Sequence, residues 1–499
     1  MSRYDVVIIG SGMGGLACGT ILSKEGMKVC VVEKNRTIGG CLQSFRRGGC
    51  TLDTGIHYVG SLGEGQTMHQ YLKYFGILPR ITLRQLDAEG FDLIHIEGRT
   101  FRHAMGYKRF AERLTADFPA EREGIAKYCT LLRNIGSSIA PEVLRSGRLS
   151  AGATEYLGVS AAATIDGLVN DPLLRRVLAG SAPLYGGRRD MSPLYHHAMI
   201  NHSNIEGAFC FVGGTQRVAD ALADIIRAGG GELLCGARAS RLLLGAQGRI
   251  TGVELNDGEQ VLDTRWVISD IAPAATFALA GQTPLLKRAF LNRMNSLPST
   301  YGLFTAHIRL QPGTLAFRNR NHYLYNTPDV WGERGDFEGY NIPMVLLCTQ
   351  PSPREPQWAE VITLMVPMRI AAVERWLGSR PGQRGTDYEE FKARFAAATL
   401  RFAGRFFPQI NDRAELLCTS TPLTYLDYTG TPEGSAYGLQ KDFNRPVSSL
   451  IPVRSRIANL LLTGQNLNVH GMLGVTLSAA LTCSELVGEE YLAKKIGYA

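Results

Sequence analysis

The sequence has ten cysteines but no Cys-x-x-Cys pair, so it predicts neither a metal site of the zinc type nor a disulfide framework. Reduced thiols in a cytosolic setting are the simpler interpretation. No uninterrupted apolar run reaches membrane-spanning length. The first apolar run, residues 4–9, is broken by glycines before it attains the length of a signal-peptide core, so no signal peptide is expected. These absences favour a cytoplasmic protein.

The charge pattern also lacks a concentrated run of lysine and arginine. The net charge of +8 is dispersed along 499 residues, which is typical of a solvated surface rather than of a nucleic-acid interface. Hydrophobic residues make up 45% and charged residues 20%, as in an ordinary globular protein. A chain of this length predicts two or more domains.

The Asp-Thr-Gly at residues 53–55 has no second copy in the chain. An aspartic protease needs two carboxylates that share a proton, and the nearest approach to a partner, Asp427-Tyr428-Thr429-Gly430, does not match. The sequence therefore argues against that activity. The surrounding stretch, residues 39–60 or GGCLQSFRRGGCTLDTGIHYVG, needs another explanation.

The N-terminal segment has the pattern of a dinucleotide-binding turn. An apolar strand, Tyr4 to Ile9, runs into Gly10-Ser11-Gly12-Met13-Gly14-Gly15 at the start of a helix. In such a turn Gly10 permits the tight bend and Gly12 lets a pyrophosphate approach the backbone. Gly15 lets the helix pack close to the strand, and the helix N-terminus faces the phosphates.

A second strand, Lys28 to Val32, ends at Glu33, whose carboxylate is placed to bind a ribose hydroxyl. Strand, glycines, helix, strand and acid fall in register, which predicts a Rossmann-type nucleotide site. No second unit of this kind follows, because Gly229-Gly230-Gly231 ends a helix instead of opening one. Separate FAD and nicotinamide domains are therefore not expected. The electron partner stays open among a quinone, oxygen, a small electron carrier and an unconventionally held nicotinamide.

The next segment resembles the family of FAD-dependent oxidoreductases that contains phytoene desaturases, carotenoid isomerases and retinol saturases. The resemblance lies in Glu33-Lys34, in Gly39-Gly40-Cys41 and in the run from Leu52 to Tyr58, and it is nearest to retinol-saturase-like members. It implies that Gly39-Gly40 lies under the pyrophosphate and that residues 53–58 pass close to the flavin. Many relatives have Arg where this chain has Cys41, which implies a phosphate contact that is missing or supplied elsewhere.

The middle of the chain continues the resemblance. Gly213-Gly214-Thr215-Gln216 opens an amphipathic helix, residues 232–244 are predicted as strand, and residues 249–258 as a hairpin closed by Asn-Asp-Gly. In the family this segment returns to the cofactor domain, which implies that backbone near Ala239 faces the adenine.

The C-terminus resembles the end of the family pattern. A strand and turn, residues 459–466, precede a long helix predicted from Gly471 to about Ala493. The resemblance aims the helix N-terminus at the pyrimidine side of the flavin, where a positive helix end stabilises the reduced cofactor. Gln465 lies where many flavoenzymes have Asp or Glu on the ribityl chain.

Together these segments, roughly half the chain, imply FAD as the cofactor. The implied FAD contacts are Gly10, Gly12, Gly14, Gly15, Glu33, Lys34, Gly39, Gly40, Gly55, Ile56, Ala239, Gly464, Gln465, Gly474, Val475 and Thr476.

The predicted fold class is α/β, with a Rossmann-type FAD-binding domain interrupted by a substrate domain of mixed sheet and helices. The FAD-binding domain is assigned to residues 1–60, 206–275 and 456–499, and the substrate domain to 61–205 and 276–455. An apolar stripe at Ile125, Cys129, Leu132 and Ile139 is predicted as core rather than as a membrane face.

In this family the flavin supplies the redox chemistry, and the protein supplies orientation and proton handling. The resemblance implies action on carbon–carbon double bonds of a lipophilic polyene, carotenoid or retinoid-like, as saturase, desaturase or cis–trans isomerase. Such a small molecule would favour peripheral membrane contact. The candidate catalytic residues are His57, Tyr58, His202 and His470.

Two alternatives share the cofactor plan. A flavin amine oxidase would be expected to place aromatic pairs around the amine, and the Gly464-Gln465 and Gly55-Ile56-His57-Tyr58 details fit it less well. The GDP-dissociation inhibitors and Rab escort proteins resemble the fold but carry prenylated partners without redox chemistry. Such a carrier would not need both glycine sets and a flavin-facing helix.

Overall fold

The structure, a computed structural model, describes residues 4–150, 152–332 and 340–499. Residues 1–3, 151 and 333–339 belong to the predicted domain segments and lie outside the described residues. The strands are β1 (Tyr4–Ile9), β2 (Val29–Glu33), β3 (Ser44–Arg47), β4 (Cys50–Asp53), β5 (Val59–Gly60), β6 (Leu83–Gln85), β7 (Asp92–Ile96), β8 (Arg99–His103), β9 (Ala208–Phe211), β10 (Glu232–Cys235), β11 (Ala239–Leu244), β12 (Ile250–Leu255), β13 (Gln260–Ser269), β14 (Gly302–Leu310), β15 (Asn321–Tyr325), β16 (Met344–Pro351), β17 (Ala359–Met368), β18 (Ala414–Ser420) and β19 (Leu460–Leu462).

The helices are α1 (Met13–Lys24), α2 (Thr67–Phe75), α3 (Tyr107–Asp117), α4 (Arg122–Gly136), α5 (Pro141–Arg145), α6 (Ala161–Leu168), α7 (Pro172–Leu178), α8 (Leu194–Glu206), α9 (Gln216–Ala228), α10 (Pro273–Leu279), α11 (Arg288–Asn295), α12 (Thr386–Gly404), α13 (Pro422–Thr429), α14 (Pro446–Ser449), α15 (Gly471–Val487) and α16 (Glu489–Gly497).

The first large sheet has the order β10-β2-β1-β13-β12-β11, with β19 beside β13. Strands β10, β2, β1, β13 and β19 run parallel, and β12 and β11 extend the sheet antiparallel. Alternate residues of β1 enter two cores: Val6 and Ile8 pack with the core that includes α1 and α9, and Val7 and Ile9 pack on the other face. Burial on both faces explains why β1 is apolar along nearly its whole length.

The second large sheet has the order β18-β14-β17-β16-β15-β7-β8 and is antiparallel except where β15 pairs with β7. One face is covered by α12, where Phe395 lies against Phe304 of β14 at a ring-centroid distance of 4.5 Å. The neighbouring residue Leu303 points to the opposite face, as strand alternation requires, and lines a cavity there. The mixed α/β fold with a Rossmann-like unit confirms the predicted fold class.

Two predicted elements differ from the observed ones. Residues 232–244 form two strands, β10 and β11, which lie at opposite edges of the first sheet, because the chain turns at Gly236 and Ala237. The C-terminal helix does not continue to Ala493: it ends at Val487, Gly488 adopts a positive φ of 91°, and a separate helix α16 follows. The hairpin closed at Asn256-Asp257-Gly258 is present as predicted.

The apolar stripe of α4 and the turn after it is buried, with Ile125 and Leu132 at 0% exposure and Cys129 and Ile139 also enclosed. The prediction that this stripe belongs to the core is confirmed. Among the described residues, no helix combines the length and the apolar character that crossing a membrane requires. The domain boundaries assigned above stay a prediction.

Candidate active site

A cleft of about 260 Å³ opens at the carboxyl ends of β1, β2 and β13, between the two large sheets. We call it the cofactor cleft. Ligands of open α/β sheets bind at this end of the strands. The predicted FAD contacts that line it are Gly10, Gly12, Gly14, Glu33, Lys34, Gly39, Gly40, Gly55, Ile56, Ala239, Gln465 and Val475.

The remaining four predicted contacts, Gly15, Gly464, Gly474 and Thr476, do not line the cleft. A Cβ atom at Gly15 would lie 2.0 Å from the carbonyl oxygen of Gly10, so Gly15 acts by letting α1 approach β1. Gly464 packs against Gly14, and Thr476 is buried with its hydroxyl donating to the carbonyl of Met472. Gly474 lines a neighbouring cavity described below.

Glu33 ends β2 as the sequence predicts, and its carboxylate is held in place by backbone and side-chain donors. Oε2 accepts from the backbone N–H of Ser11 at 3.1 Å and from its hydroxyl at 2.6 Å, and Oε1 accepts from the N–H of Asn35 at 2.8 Å. These bonds fix the carboxylate at the edge of the cleft. Its remaining lone pairs suit the ribose hydroxyls of a dinucleotide.

Asp270, which sequence reasoning missed, lies among the phosphate-loop glycines. It follows β13, whose register with β1 brings it beside Gly10. A Cβ at Gly14 or at Gly464 would lie 2.4 Å from Oδ1 of Asp270, and the backbone N–H of Gly15 donates to the carboxylate. Burial raises the pKa of Asp270 to about 7, the charge of Glu33 adds to this, and the bond from Gly15 opposes it. A carboxyl group thus shares the helix N-terminus that a pyrophosphate would use.

The Asp-Thr-Gly segment has a structural role at Asp53. Its Oδ1 accepts from the hydroxyl of Ser44 at 2.6 Å, and from the backbone N–H and hydroxyl of Thr215 at 2.9 and 3.1 Å. These bonds fasten the β3–β4 hairpin to the start of α9. The chain that follows Asp53 is thereby led along the cofactor cleft, where Gly55 and Ile56 form part of the wall.

A second cavity, of about 150 Å³, adjoins the cofactor cleft, and we call it the apolar cavity. Aliphatic and methionine side chains form most of its wall, and they include Leu184, Met199, Leu346, Met365 and Leu473. The two spaces share six wall residues: Gly55, Ile56, Leu303, Tyr437, Gly471 and Met472. A molecule in the apolar cavity would therefore lie against whatever occupies the inner end of the cleft.

Three of the four candidate catalytic residues line the apolar cavity: His57, Tyr58 and His470. The structure does not bring His202 there. Its Nδ1 lies 2.7 Å from the hydroxyl of Tyr107 and its Nε2 lies 3.4 Å from a carboxylate oxygen of Glu206, so both ring nitrogens face protein groups in the core.

Burial lowers the pKa of each of these histidines. For His470 and for His202 the pKa falls to about 4, and for His57 it falls although the charge of Asp53 opposes the change. Their imidazoles are neutral at neutral pH. The Nε2 atoms of His57 and His470 are buried without a hydrogen-bond partner in the part of the chain that the structure describes.

Helix α15 begins at the junction of the two spaces. Gly471, Met472 and Val475 of its first turns line the cofactor cleft, and His470 is the N-cap without a side-chain capping bond. The free N–H groups and the positive helix end are thus available to a group that carries negative charge. Cys41 lies in the same cleft as a neutral thiol, because burial and the charge of Asp270 raise its pKa to about 11.

Comparisons with known proteins agree with this geometry. Residues 8–75 match the sequence profile of the NAD(P)-binding Rossmann-like domain. The all-trans-retinol 13,14-reductase of Macaca fascicularis is 29% identical over 97% of this chain and 85% of its own length. The chloroplastic prolycopene isomerase 2 of an Oncidium hybrid cultivar is 25% identical over 87% of this chain and 75% of its own length.

Solved structures show the same fold. An oxidoreductase from Methanosarcina mazei superposes with a TM-score of 0.64 at 19% identity, covering 95% of this chain and 98% of the other. Cyclohexylamine oxidase from Brevibacterium oxydans superposes with a TM-score of 0.60 at 18% identity, covering 97% and 100%. The predicted resemblance is confirmed, and so are the prediction of an oxidoreductase and of a nucleotide-binding Rossmann-like unit.

Proposed function

We propose that this chain, an oxidoreductase similar over most of its length to retinol reductases and carotenoid isomerases, binds FAD and acts on carbon–carbon double bonds of a lipophilic polyene. The observation that supports this most directly is the shared wall between the cofactor cleft and the apolar cavity. Retinoids and carotenoids are long, apolar and conjugated, and the leucine and methionine lining suits such a chain, of which a cavity of about 150 Å³ encloses only a section.

The described residues fit FAD from one end of the cleft to the other. Glu33 and Ala239 line the cleft and are expected to contact the adenosine, and the glycines from Gly10 to Gly14 with Gly40 are expected to leave room for the pyrophosphate. Gln465 and the start of α15 also line the cleft, and we expect them to contact the ribityl chain and the pyrimidine ring. Bound FAD supplies hydride transfer to or from the substrate.

The protein's own part is to position the polyene and to handle a proton. The apolar walls hold the conjugated chain and exclude water. The wall residues common to both spaces set which double bond lies next to the cofactor. A proton must also reach or leave the carbon next to the one that exchanges hydride, and the titratable side chains of the cavity wall are placed to exchange it.

An anaerobic titration tests the proposal. The purified protein is loaded with FAD, reduced chemically and mixed with a panel of polyenes that includes retinol and linear carotenes, while the flavin spectrum is recorded. We expect one class of polyene to reoxidise the flavin and to gain two hydrogens, and a fully saturated isoprenoid alcohol to leave the flavin reduced.

Two results would overturn the proposal. The first is a protein that takes up no FAD. The second is a flavoprotein that neither loses electrons to any polyene, nor is bleached by one in its oxidised form, nor changes the double-bond geometry of one. Oxidation of a primary amine in a parallel assay would instead favour an amine oxidase, whose fold this chain shares.

A further inference from the structure

The apolar cavity offers few groups that exchange protons. Among the described residues of its wall, the titratable side chains are His57, Tyr58, Tyr437 and His470. Reduction of a carbon–carbon double bond adds a hydride equivalent to one carbon and a proton to the other. If the proposed function is correct, these four groups are the side chains placed to exchange that proton with the substrate.

The two histidines are poor proton donors in this setting. Their lowered pKa values leave the rings neutral, so neither holds the proton of an imidazolium at neutral pH. The ring of His470 donates its N–H to the backbone carbonyl of Leu184, because a carbonyl oxygen can only accept. Its unpartnered Nε2 is therefore an acceptor.

Among the described residues, Tyr58 is the member of the four whose side chain is hydrogen-bonded to a carboxyl group, and burial together with the charge of that group raises the pKa of Tyr58 well above its ordinary value. Its hydroxyl donates to Oδ2 of Asp92 at 2.8 Å and lies 2.7 Å from the hydroxyl of Tyr323. Oδ1 of Asp92 accepts from the side-chain amide of Asn321 at 3.0 Å. Within the described ranges the Tyr437 hydroxyl makes no such bond, and its ring lies tilted at 47° against the ring of His470 at a centroid distance of 5.0 Å.

The register of two strands builds this network. Strands β7 and β15 run parallel with Asp92 opposite Asn321, and Tyr323 lies two residues further along β15 on the same face. Tyr58 reaches them from the segment that Asp53 anchors. Its side chain is half-buried and borders the apolar cavity, whereas Asp92 is 1% exposed and lies behind it.

Asp92 holds a proton near neutral pH. Burial raises its pKa to about 7, and the bonds from Asn321 and Tyr58 only partly oppose this. The other titratable groups that face it are Tyr323 and the thiol of Cys348 on β16, and burial raises the pKa of each well above its ordinary value. No cation is recorded in contact with Asp92 among the described residues. The carboxyl group is therefore close to the point at which it gives up a proton.

We propose that Tyr58 exchanges the proton with the substrate carbon and that Asp92 is the positioning residue that holds the Tyr58 hydroxyl and restores its proton. In the reductive direction, two electrons and one hydrogen reach the double bond as hydride from the reduced flavin of the proposed function. The Tyr58 O–H, which donates to Asp92 in the absence of substrate, turns to the adjacent carbon and breaks there as a C–H bond forms. The proton of Asp92 then passes to the phenolate oxygen, and the Asp92 carboxylate regains a proton from solvent before the next turnover.

The test compares Tyr58→Phe, Asp92→Asn and the double variant for polyene turnover between pH 6 and pH 9. For the wild type we expect kcat to fall above pH 7 as Asp92 loses its proton. Tyr58→Phe should lower kcat by about 100-fold, the usual contribution of an acid–base group, with KM little changed. Asp92→Asn should lower kcat and remove the fall above pH 7. The double variant should be no slower than Tyr58→Phe, because the two residues act as one unit.

Tyr325→Phe is the matched control. Tyr325 is a buried tyrosine on β15, the strand that carries Tyr323. Its hydroxyl donates to the carbonyl of Gly180 and lies outside the network of Tyr58 and Asp92. It should keep the wild-type pH profile. FAD content and unfolding temperature, measured for every variant, separate a lost proton path from a damaged fold.

The inference is wrong if Tyr58→Phe turns over normally, if the fall above pH 7 persists in Asp92→Asn, or if the two losses add in the double variant. A wild-type flavoprotein that converts no polyene refutes the proposed function and the inference with it, and it does so before any variant is compared. Infrared difference spectroscopy provides a readout without turnover: the wild type minus Asp92→Asn should show a carboxylic C=O band that titrates near pH 7, and the band of Asp270, which both proteins share and which titrates in the same range, cancels in this difference.

Discussion

Replacement of Asp270 by asparagine should stabilise the flavin-free protein above neutral pH. The carboxyl group is surrounded by the phosphate-loop glycines, and its pKa is raised from 3.8 to about 7, with burial as the largest cause. Asparagine has nearly the same shape, and its side-chain oxygen can still accept from the N–H of Gly15. The exchange therefore removes the ionisation and little else.

The direction and size of the effect follow from proton linkage. Between pH 3.8 and pH 7 the folded wild type binds more protons at Asp270 than the unfolded chain does, so its stability falls over this range and is then constant. A difference of about three pKa units corresponds to an upper limit of about 4 kcal/mol. Because the carboxyl group borders the cofactor cleft and is not wholly enclosed, we expect about half of this, ~2 kcal/mol.

Urea unfolding of the two flavin-free proteins from pH 4 to pH 8 measures this difference. The free energies of unfolding should agree near pH 4 and separate in favour of Asp270→Asn as the pH rises. FAD affinity gives a second readout, since the ionised carboxylate would face the dianionic pyrophosphate. The dissociation constant of the wild type should rise above pH 7, and that of the variant should not. Equal pH dependence in both proteins, or loss of FAD from the variant at every pH, would refute the reasoning.

Two further replacements test the packing around the cleft. Gly15→Ala should abolish FAD binding and soluble expression, because the new Cβ would lie 2.0 Å from the Gly10 carbonyl, whereas Gly167→Ala, a helical position with nothing within 4 Å, should keep both. Lys441→Met should lower the free energy of unfolding in urea by about 3 kcal/mol, at about 1 kcal/mol for each bond. The buried amino group of Lys441, whose pKa burial lowers to about 7, donates to the carbonyls of Ser449, Asn466 and Leu467 at 2.8–3.0 Å, and an unchanged unfolding midpoint would contradict this role.

The nucleotide-binding turn could be predicted because its pattern is local. The strand, the glycines from Gly10 to Gly15 and the acid Glu33 fall within 30 consecutive residues, and each residue type is required by the backbone geometry that the structure shows. The apolar periodicity of α9 could be read from the sequence for the same reason. Misassigned boundaries arose at single glycines: Gly236 divides a predicted strand and Gly488 ends a predicted helix.

The acidic residues that set the electrostatics of the site could not be predicted in the same way. Asp92 is a single acid in an apolar strand, and its hydrogen-bond partners Tyr58 and Asn321 are 34 and 229 residues away, which is further than a local sequence pattern spans. Asp270 becomes part of the phosphate loop because β13 pairs with β1 across some 260 residues of chain. Strand register, which depends on the whole sheet, brings these groups together.

The sequence by itself determined the nucleotide-binding unit, the order of the cofactor segments and the family likeness, since these depend on backbone conformations that nearby residues specify. Only the tertiary structure decided which polar groups meet the two cavities. It left His202 in the core between Tyr107 and Glu206, and it brought the hydroxyl of Tyr58 into a hydrogen bond with the carboxyl group of Asp92. The physical reason is that burial and distant neighbours fix the protonation state of a side chain, and neither is encoded by the residues next to it in the chain.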